Sequence, residues 1–281
     1  MNAIEYAQKV SDLFAVPTTA MRVKKLIDGD LADAKNIAGI INQDSGLAAH
    51  LLKVANSAIY RFPRKIDTIQ KAIQVIGTTA AYDYALIFGI SNAFSSGQDQ
   101  LIDLDKFWEQ SVTCAILAKH FSEVFGCRDA DRIFTSGLLH NIGELVVMRV
   151  SPHLASDCNR FDKAKIPRDC QFEVLGFTFA EVSASLSQQW MLPDSIVSTI
   201  AMQHHDDTFA DSIDVQIIQL AYELSIINTY PTLFNLKTHL EPFLYQGLTL
   251  EMKDVEESLD AANFQVEQIL HLFNPDVFKA A

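Results

Sequence analysis

This chain is poor in the residues that many simple activities require. Its four cysteines, at positions 114, 127, 158 and 170, include no C-x-x-C pair, so neither a thiolate zinc site nor a disulfide framework is indicated, and reduced thiols are expected. Cations are the scarcer charge: 22 Lys and Arg stand against 35 Asp and Glu, for a net charge of -13. That balance repels a phosphate backbone, and nucleic acid is not expected as a partner. Long apolar runs are missing too. None reaches the roughly 18 residues of a membrane span, and Met1-Asn2-Ala3-Ile4-Glu5 has neither a basic start nor an apolar stretch behind it. The expectation is a cytoplasmic chain with no membrane partner. Also absent are the G-x-S-x-G elbow, the P-loop and the dinucleotide-binding glycine fingerprint, which sets aside the enzyme classes built on them.

What is present is apolar side chains at helical spacing. Hydrophobic residues make up 49% of the chain, with 18 Phe, enough for a sizeable core. Residues 4 to 14 form a short amphipathic segment closed by Pro17, and 20 to 27 continue the period until Asp28-Gly29-Asp30. Asp33 is placed to cap a helix carrying Ile37, Ile40 and Ile41. Asp44 or Ser45 can cap one with Leu47, Leu51, Val54 and Ala55, and Asp67-Thr68 can cap one that Gly77 stops. A longer helix runs from Thr78 or Thr79 to about Phe94. Small or polar residues from 95 to 100 then mark an internal boundary, short enough that the halves on either side are expected to touch. Beyond it Asp105 begins a helix that stops at Gly126, and the next spans about 129 to 149. Further helices are predicted over 152–161, between Pro167 and Gly176, over 179–190, from Pro193-Asp194 to His204-His205, and over 213–230. From Pro231 onward eight acidic residues stand against three lysines (3 - 8 = -5), with apolar positions at Val255, Leu259, Ala262, Val266, Ile269 and Leu270. This reads as an acidic amphipathic tail. No alternating strand pattern or fixed-period repeat is found, so the fold class is all-α, with 1–95 and 100–230 as two helical lobes and 231–281 as the appendage.

Within the helix expected over 129 to 149, Ser136-Gly137-Leu138-Leu139-His140-Asn141-Ile142-Gly143-Glu144 places polar side chains among apolar ones. Buried polar groups need partners. A His-Asp pair here would offer a metal one imidazole and one carboxylate, a set that Zn, Mn or Fe accepts. His140-Asn141 offers a neutral amide instead, which neither bridges two cations nor acts as a base. The simplest reading of His140 is a core histidine with Glu144, one turn later, as its hydrogen-bond partner. His204 follows Val197 and Ala201 at helical spacing, which points it inward, whereas His205 is turned by about 100° toward solvent at a helix end. Asn56 and Ser57 read as a helix terminus, with Asn suited to left-handed backbone. Arg61, Arg64 and Lys65 form a basic loop on an acidic chain, either a solvated turn or a partner-binding site. Trp108 and Trp190 read as core anchors.

Taken together the motifs resemble the HDOD domain, a helical relative of the HD metal-dependent phosphohydrolases found in bacterial signalling proteins. The likeness covers most of residues 10 to 225. It rests on Ile41-Asn42-Gln43-Asp44-Ser45-Gly46-Leu47 followed by Leu51-Leu52 and Ala55-Asn56-Ser57, then Thr68-Ile69, Ala72-Ile73 and Ile76-Gly77. Phe107-Trp108, Gly137-Leu138-Leu139-His140-Asn141-Ile142-Gly143, Trp190 with Leu192-Pro193, and His204-His205 complete it. Order and spacing together carry the resemblance; Ser45 departs from the proline usual there. At the metal positions of the hydrolytic relatives this chain has Gln110 for a histidine, Asn141 for an aspartate, Phe179 for a histidine and Tyr222 for an aspartate. His140 and His204-His205 remain. Glu144 stands where the related cyclic-dinucleotide phosphodiesterases carry a lysine.

The resemblance implies a non-catalytic signal-transduction or regulatory module that binds signalling proteins, with no cofactor and no metal. Two alternatives belong to other classes. One is a metal-dependent phosphohydrolase, possible on a cyclic nucleotide, which needs the charged cluster this sequence has lost. The other is a small-ligand sensor using the former metal cleft of Gln110, His140, Asn141, Glu144, His204 and His205 without cleavage.

Overall fold

The computed structural model describes residues 1–11, 18–29, 31–57, 60, 62–95, 103–127, 129–204, 212–240 and 242–273. Pro17, Asp30, Arg61, His205 and residues 96–100, all singled out in the sequence, lie outside the described residues. Among the described residues every regular element is an α-helix, and the one extended contact is an isolated bridge between Asp162 and Lys165. The chain is all-α, as expected. In order the helices are α1 (Ala3–Ser11), α2 (Thr18–Asp28), α3 (Ala34–Ile41), α4 (Ser45–Ala55), α5 (Ile69–Ile76), α6 (Thr78–Ser95), α7 (Leu104–Val124), α8 (Ala130–Leu139) and α9 (Ile142–Val150). There follow α10 (Pro152–Cys158), α11 (Pro167–Leu175), α12 (Phe179–Gln189), α13 (Asp194–Ala201), α14 (Ile213–Thr229), α15 (Leu236–His239), α16 (Pro242–Gln246) and α17 (Met252–Phe273). They divide into two compact units, residues 14–97 with 267–281, and residues 1–13 with 98–266. No single helix among the described residues is long and apolar enough to cross a membrane.

In the first unit local chemistry sets the helix starts. Asp33, Asp44 and Thr68 accept the backbone N–H of Asn36, Leu47 and Lys71 at 2.6, 3.0 and 3.3 Å, so three caps fall where the sequence places them. Helix α5 buries Ile69, Ala72, Ile73 and Ile76, one face of a 3.6-residue period, against α3 and α4. Gly77, at φ 91°, ends it in backbone that a side chain would strain. Asn56 departs from expectation. Its backbone is at φ -90° and ψ 0° rather than left-handed, and its side chain reaches across the following loop. The Nδ2 group donates to Leu52 O at 2.7 Å and Ile66 O at 2.8 Å, while Oδ1 accepts from Ile66 N at 2.8 Å.

In the second unit α7 is the central element. Gln110 through Ala118 are buried without interruption, because both α8 and α14 pack along it. The helix begins at Leu104, one residue before the expected Asp105, and Asp103 caps it by accepting Lys106 N at 3.1 Å. An ion pair between Arg132 and Asp214, 2.6 Å apart, ties α8 to α14. Helix α1 packs on α12 and α9, where the Tyr6 hydroxyl meets Ser151 Oγ at 2.9 Å. Thr178 and Glu181 form a reciprocal capping box at the start of α12.

The main correction concerns the stretch around His140. The single helix expected over 129 to 149 is two, α8 and α9, broken at His140-Asn141, where Asn141 sits at φ -115° and ψ 12°. His140 Nδ1 bonds Gly137 O at 2.6 Å, the carbonyl that a continuous helix would give to the Asn141 N–H. Two glycines bracket the break. A β-carbon on Gly137 would lie 2.8 Å from Ala115 Cα, and one on Gly143 would run into the Phe179 carbonyl and sit 2.8 Å from Val182 Cβ. Helices α8 and α9 are thus drawn onto different neighbours, α7 and α12. Gly143→Ala is expected to cost about 2–3 kcal/mol, because its obstacle is backbone that cannot swing aside. Urea unfolding at neutral pH measures it; a midpoint unchanged from the parent would refute this account of the packing.

Candidate functional site

The break turns two adjacent residues toward different partners. His140, with no exposed surface, uses Nδ1–H on Gly137 O, so Nε2 carries the lone pair. That lone pair faces the amide of Gln110, whose Nε2 lies 3.4 Å away and is the donor in this tautomer. The ring of Tyr222 stands edge-on to His140 at 5.7 Å and to His204 at 4.5 Å. Gln203, also buried, donates from Nε2 to the His140 carbonyl at 3.2 Å and lies 3.4 Å from His204 Nε2. His204 is half-buried and packs on Tyr222, the inward direction expected for it. Gln110, His140, Gln203, His204 and Tyr222 therefore form one cluster.

Asn141 belongs to a second cluster. Its Nδ2 donates to Glu144 Oε2 at 2.7 Å, and Asn159 Nδ2, from the end of α10, donates to Glu144 Oε1 at 2.8 Å. The expected pairing of Glu144 with His140 is not made, since the break rotates α9 and gives the glutamate two amides instead. Burial raises the Glu144 carboxyl above its ordinary range, with the Asn159 and Asn141 hydrogen bonds opposing that shift. Phe179 brings only apolar surface. Its side chain is buried, its N–H donates to Gln171 Oε1 at 2.9 Å, and its carbonyl accepts from Ser183 Oγ, which itself accepts the Gly143 N–H at 2.8 Å. Arg64 and Lys65 are exposed on the loop before α5, in the other unit.

These residues do not fit a catalytic metal. A metal on His140 would have to displace the Gln110 amide from the one available imidazole lone pair, while Asn141 turns its amide nitrogen to Glu144. Tyr222 presents a ring edge rather than a carboxylate. Among the described residues no group of three or more His, Cys, Asp or Glu is placed to hold an ion. Burial also holds the His140 imidazole down at about 4, only partly opposed by its bond to Gly137. The group is neutral through the physiological range.

The residue pattern, the broken helix and the all-α frame now meet the comparison with known proteins. The HDOD domain family matches residues 13–206. This chain belongs to that family. An uncharacterized protein of Treponema pallidum (strain Nichols) is 25% identical over 207 residues, covering 72% of this chain and 40% of its own length. The chain thus spans less than half of that relative. Among solved structures, an HDOD domain protein of unknown function from Geobacter sulfurreducens superposes with TM-score 0.74 at 19% identity, covering 96% of this chain and 98% of its own. A protein of Shewanella amazonensis SB2B, provisionally named a phosphohydrolase, gives TM-score 0.74 at 21% identity with coverage of 96% and 98%. A Marinobacter aquaeolei VT8 protein, provisionally named for signal transduction, gives 0.73 at 21%, covering 92% of this chain and 59% of its own. At these identities the solved structures establish a shared fold.

Sequence reasoning missed Gln203 and Asn159. Gln203 stood beside the more conspicuous His204, and Asn159 is fifteen positions from Glu144 with no periodic relation to it. Two predictions follow from the electrostatics of the HDOD chain's site. The unfolded chain takes up a proton on His140 near pH 6.5 and the folded chain only near pH 4, so folding excludes the proton between those values. Stability is full above this window and falls as the pH is lowered through it, by on the order of 3 kcal/mol for a shift of that width. His50, held at about 4 by burial, adds to the loss, and Glu144, shifted upward, opposes it. An NMR titration should find the His140 ring unprotonated at pH 5.5; a midpoint near 6.5 would contradict the buried hydrogen-bonded geometry. Second, Asn141→Asp would set two carboxylates at hydrogen-bond distance with no cation beside them. It should destabilise the chain by about 2 kcal/mol at pH 7.5, and by less at pH 5 where the pair holds a proton. Equal loss at both pH values would show that charge is not the cause.

Proposed function

We propose that this HDOD chain is a non-catalytic signal-transduction or regulatory module of the bacterial cytoplasm, acting by binding signalling proteins. The observation that carries the reading is the state of His140. Both ring nitrogens are committed within the fold, one to a carbonyl and one to an amide, so the former metal position serves as a structural pin across a helix break. Three further positions support it, because Asn141, Phe179 and Tyr222 supply no negative charge where a cation pair would require it. The provisional phosphohydrolase name of a structural neighbour attaches to that protein, at 21% identity. A second reading, a sensor of a small polar molecule, draws support from Tyr222 Oη and Gln203 Oε1. Both are buried and have no hydrogen-bond partner among the described residues.

The proposed role predicts that purified protein carries only substoichiometric transition metal and does not hydrolyse a chromogenic phosphodiester in added Mn. Asn141→Asp alone should not create activity, since Gln110, Phe179 and Tyr222 still leave the shell short of ligands. Mass-spectrometric metal content and the turnover assay decide it together. Near one metal per chain, with turnover abolished in His140→Ala, would replace this reading with the hydrolase.

A further inference from the structure

The unit formed by residues 14–97 and 267–281 carries an open groove of about 530 Å³ between α4 and the loop that enters α5. Its surface is mainly apolar, with Ala49, Leu52 and Ile66 contributing, while Lys53, Lys65 and Asp67 bring charge to its lining. Two ammonium groups against one carboxylate leave the lining net positive on a chain of net charge -13. Lys53 and Lys65 are exposed, and neither takes part in an ion pair among the described residues. Earlier in the same loop Phe62 is exposed, with the Lys71 ammonium 5.7 Å from its ring centroid.

The groove is also pre-formed. Asn56 grips both backbone groups of Ile66, at 2.8 Å each, while holding the Leu52 carbonyl of its own helix. The loop wall is therefore fixed to α4 before anything binds, which lowers the ordering cost of association. Apolar walls ask for an aliphatic side chain, and cations that make no ion pair among the described residues ask for carboxylates on either side of it. Helix α4 and the loop together thus describe a complementary ligand.

We propose that this groove binds an acidic segment of a partner protein, seating one aliphatic side chain against Leu52 and Ile66 while carboxylates flanking it meet Lys53 and Lys65. The inference rests on the partner-binding reading above and names where and what that module binds. The competing occupant is the chain's own acidic tail, residues 231–281, from a second copy.

The test is selection of random dodecapeptides displayed on phage against the full chain, in parallel with Ala49→Trp. Ala49 is exposed, so the indole fills the groove without entering the core; circular dichroism confirms the fold. The expected pool has Asp or Glu on both sides of Leu, Ile, Val or Met and is lost on Ala49→Trp. A synthetic peptide of that pattern should bind at least about tenfold more weakly to the double variant Lys53→Glu/Lys65→Glu, and its Lys-for-Glu counterpart should not bind the parent. A pool without acidic bias, equal enrichment on Ala49→Trp, or affinity unmoved by the lysine reversals would overturn the proposal. So would self-association of the parent that Ala49→Trp abolishes, since the tail would then be the occupant. Failure of this selection on a metal-free, inactive protein removes the groove alone, whereas metal-dependent turnover in the preceding assay removes the module reading.

Discussion

Two helix approaches too close for a β-carbon hold the second unit in its shape. Gly137 lets α8 come against the backbone of α7 at Ala115, and Gly143 lets α9 come against the first turn of α12 at Phe179. One straight helix cannot satisfy both contacts. The break between them at His140-Asn141 follows, and His140 stabilises it by giving its Nδ1–H to the carbonyl that the break leaves without its helical donor. What the cluster can do chemically is downstream of this clamp. It fixes which way the imidazole faces, and sends the next side chain to Glu144.

Around His140 and Asn141 the buried polar side chains are amides, an imidazole and a phenol, with Glu144 the one carboxylate that they partner. A di-cation site tolerates several carboxylates because the metals offset their desolvation, and removing the metals would strand those charges in a dry environment. Here each position at issue avoids that cost in its own way. Gln110 and Gln203 offer amides, Asn141 and Asn159 solvate the carboxylate of Glu144, and Phe179 and Tyr222 fill space with rings. No one of these residues is intelligible alone. An amide at 141 without the second amide from Asn159, for example, would leave one oxygen of a buried glutamate unsatisfied.

What could be read from the sequence was whatever is decided within a turn of helix. The caps at Asp33, Asp44 and Thr68 were legible because side chain and recipient N–H are three residues apart. The break at His140 was not. Its surroundings, Leu138, Leu139, Ile142, Leu145 and Val146, continue the apolar pattern on both sides, and its causes are a side chain competing for a carbonyl and two glycines meeting distant backbone. That hidden break also explains the mistaken pairing of His140 with Glu144, which holds only for an unbroken helix. Asn56 erred in the opposite direction, a local role being assigned to a residue whose amide spans ten positions to Ile66. The family signature survived these errors because it depends on order and spacing, which folding details do not alter.

In the proposed reading, recognition falls to the surface and not to the polar cluster around His140. On a chain of net charge -13 the long-range field repels acidic molecules, so a net-positive groove does not collect them indiscriminately. At about 0.15 M salt that repulsion is screened beyond roughly 8 Å, whereas contacts at Lys53 and Lys65 act at hydrogen-bond range. Selectivity then comes from short-range fit: an acidic segment that lacks the aliphatic side chain gains too little to offset ordering itself, and an apolar segment without carboxylates leaves the ammonium groups unpaired. The Asn56 clamp matters for the same reason. A loop free to move from α4 could adapt to many shapes, and fixing Ile66 at both of its backbone groups narrows what the proposed groove can accept.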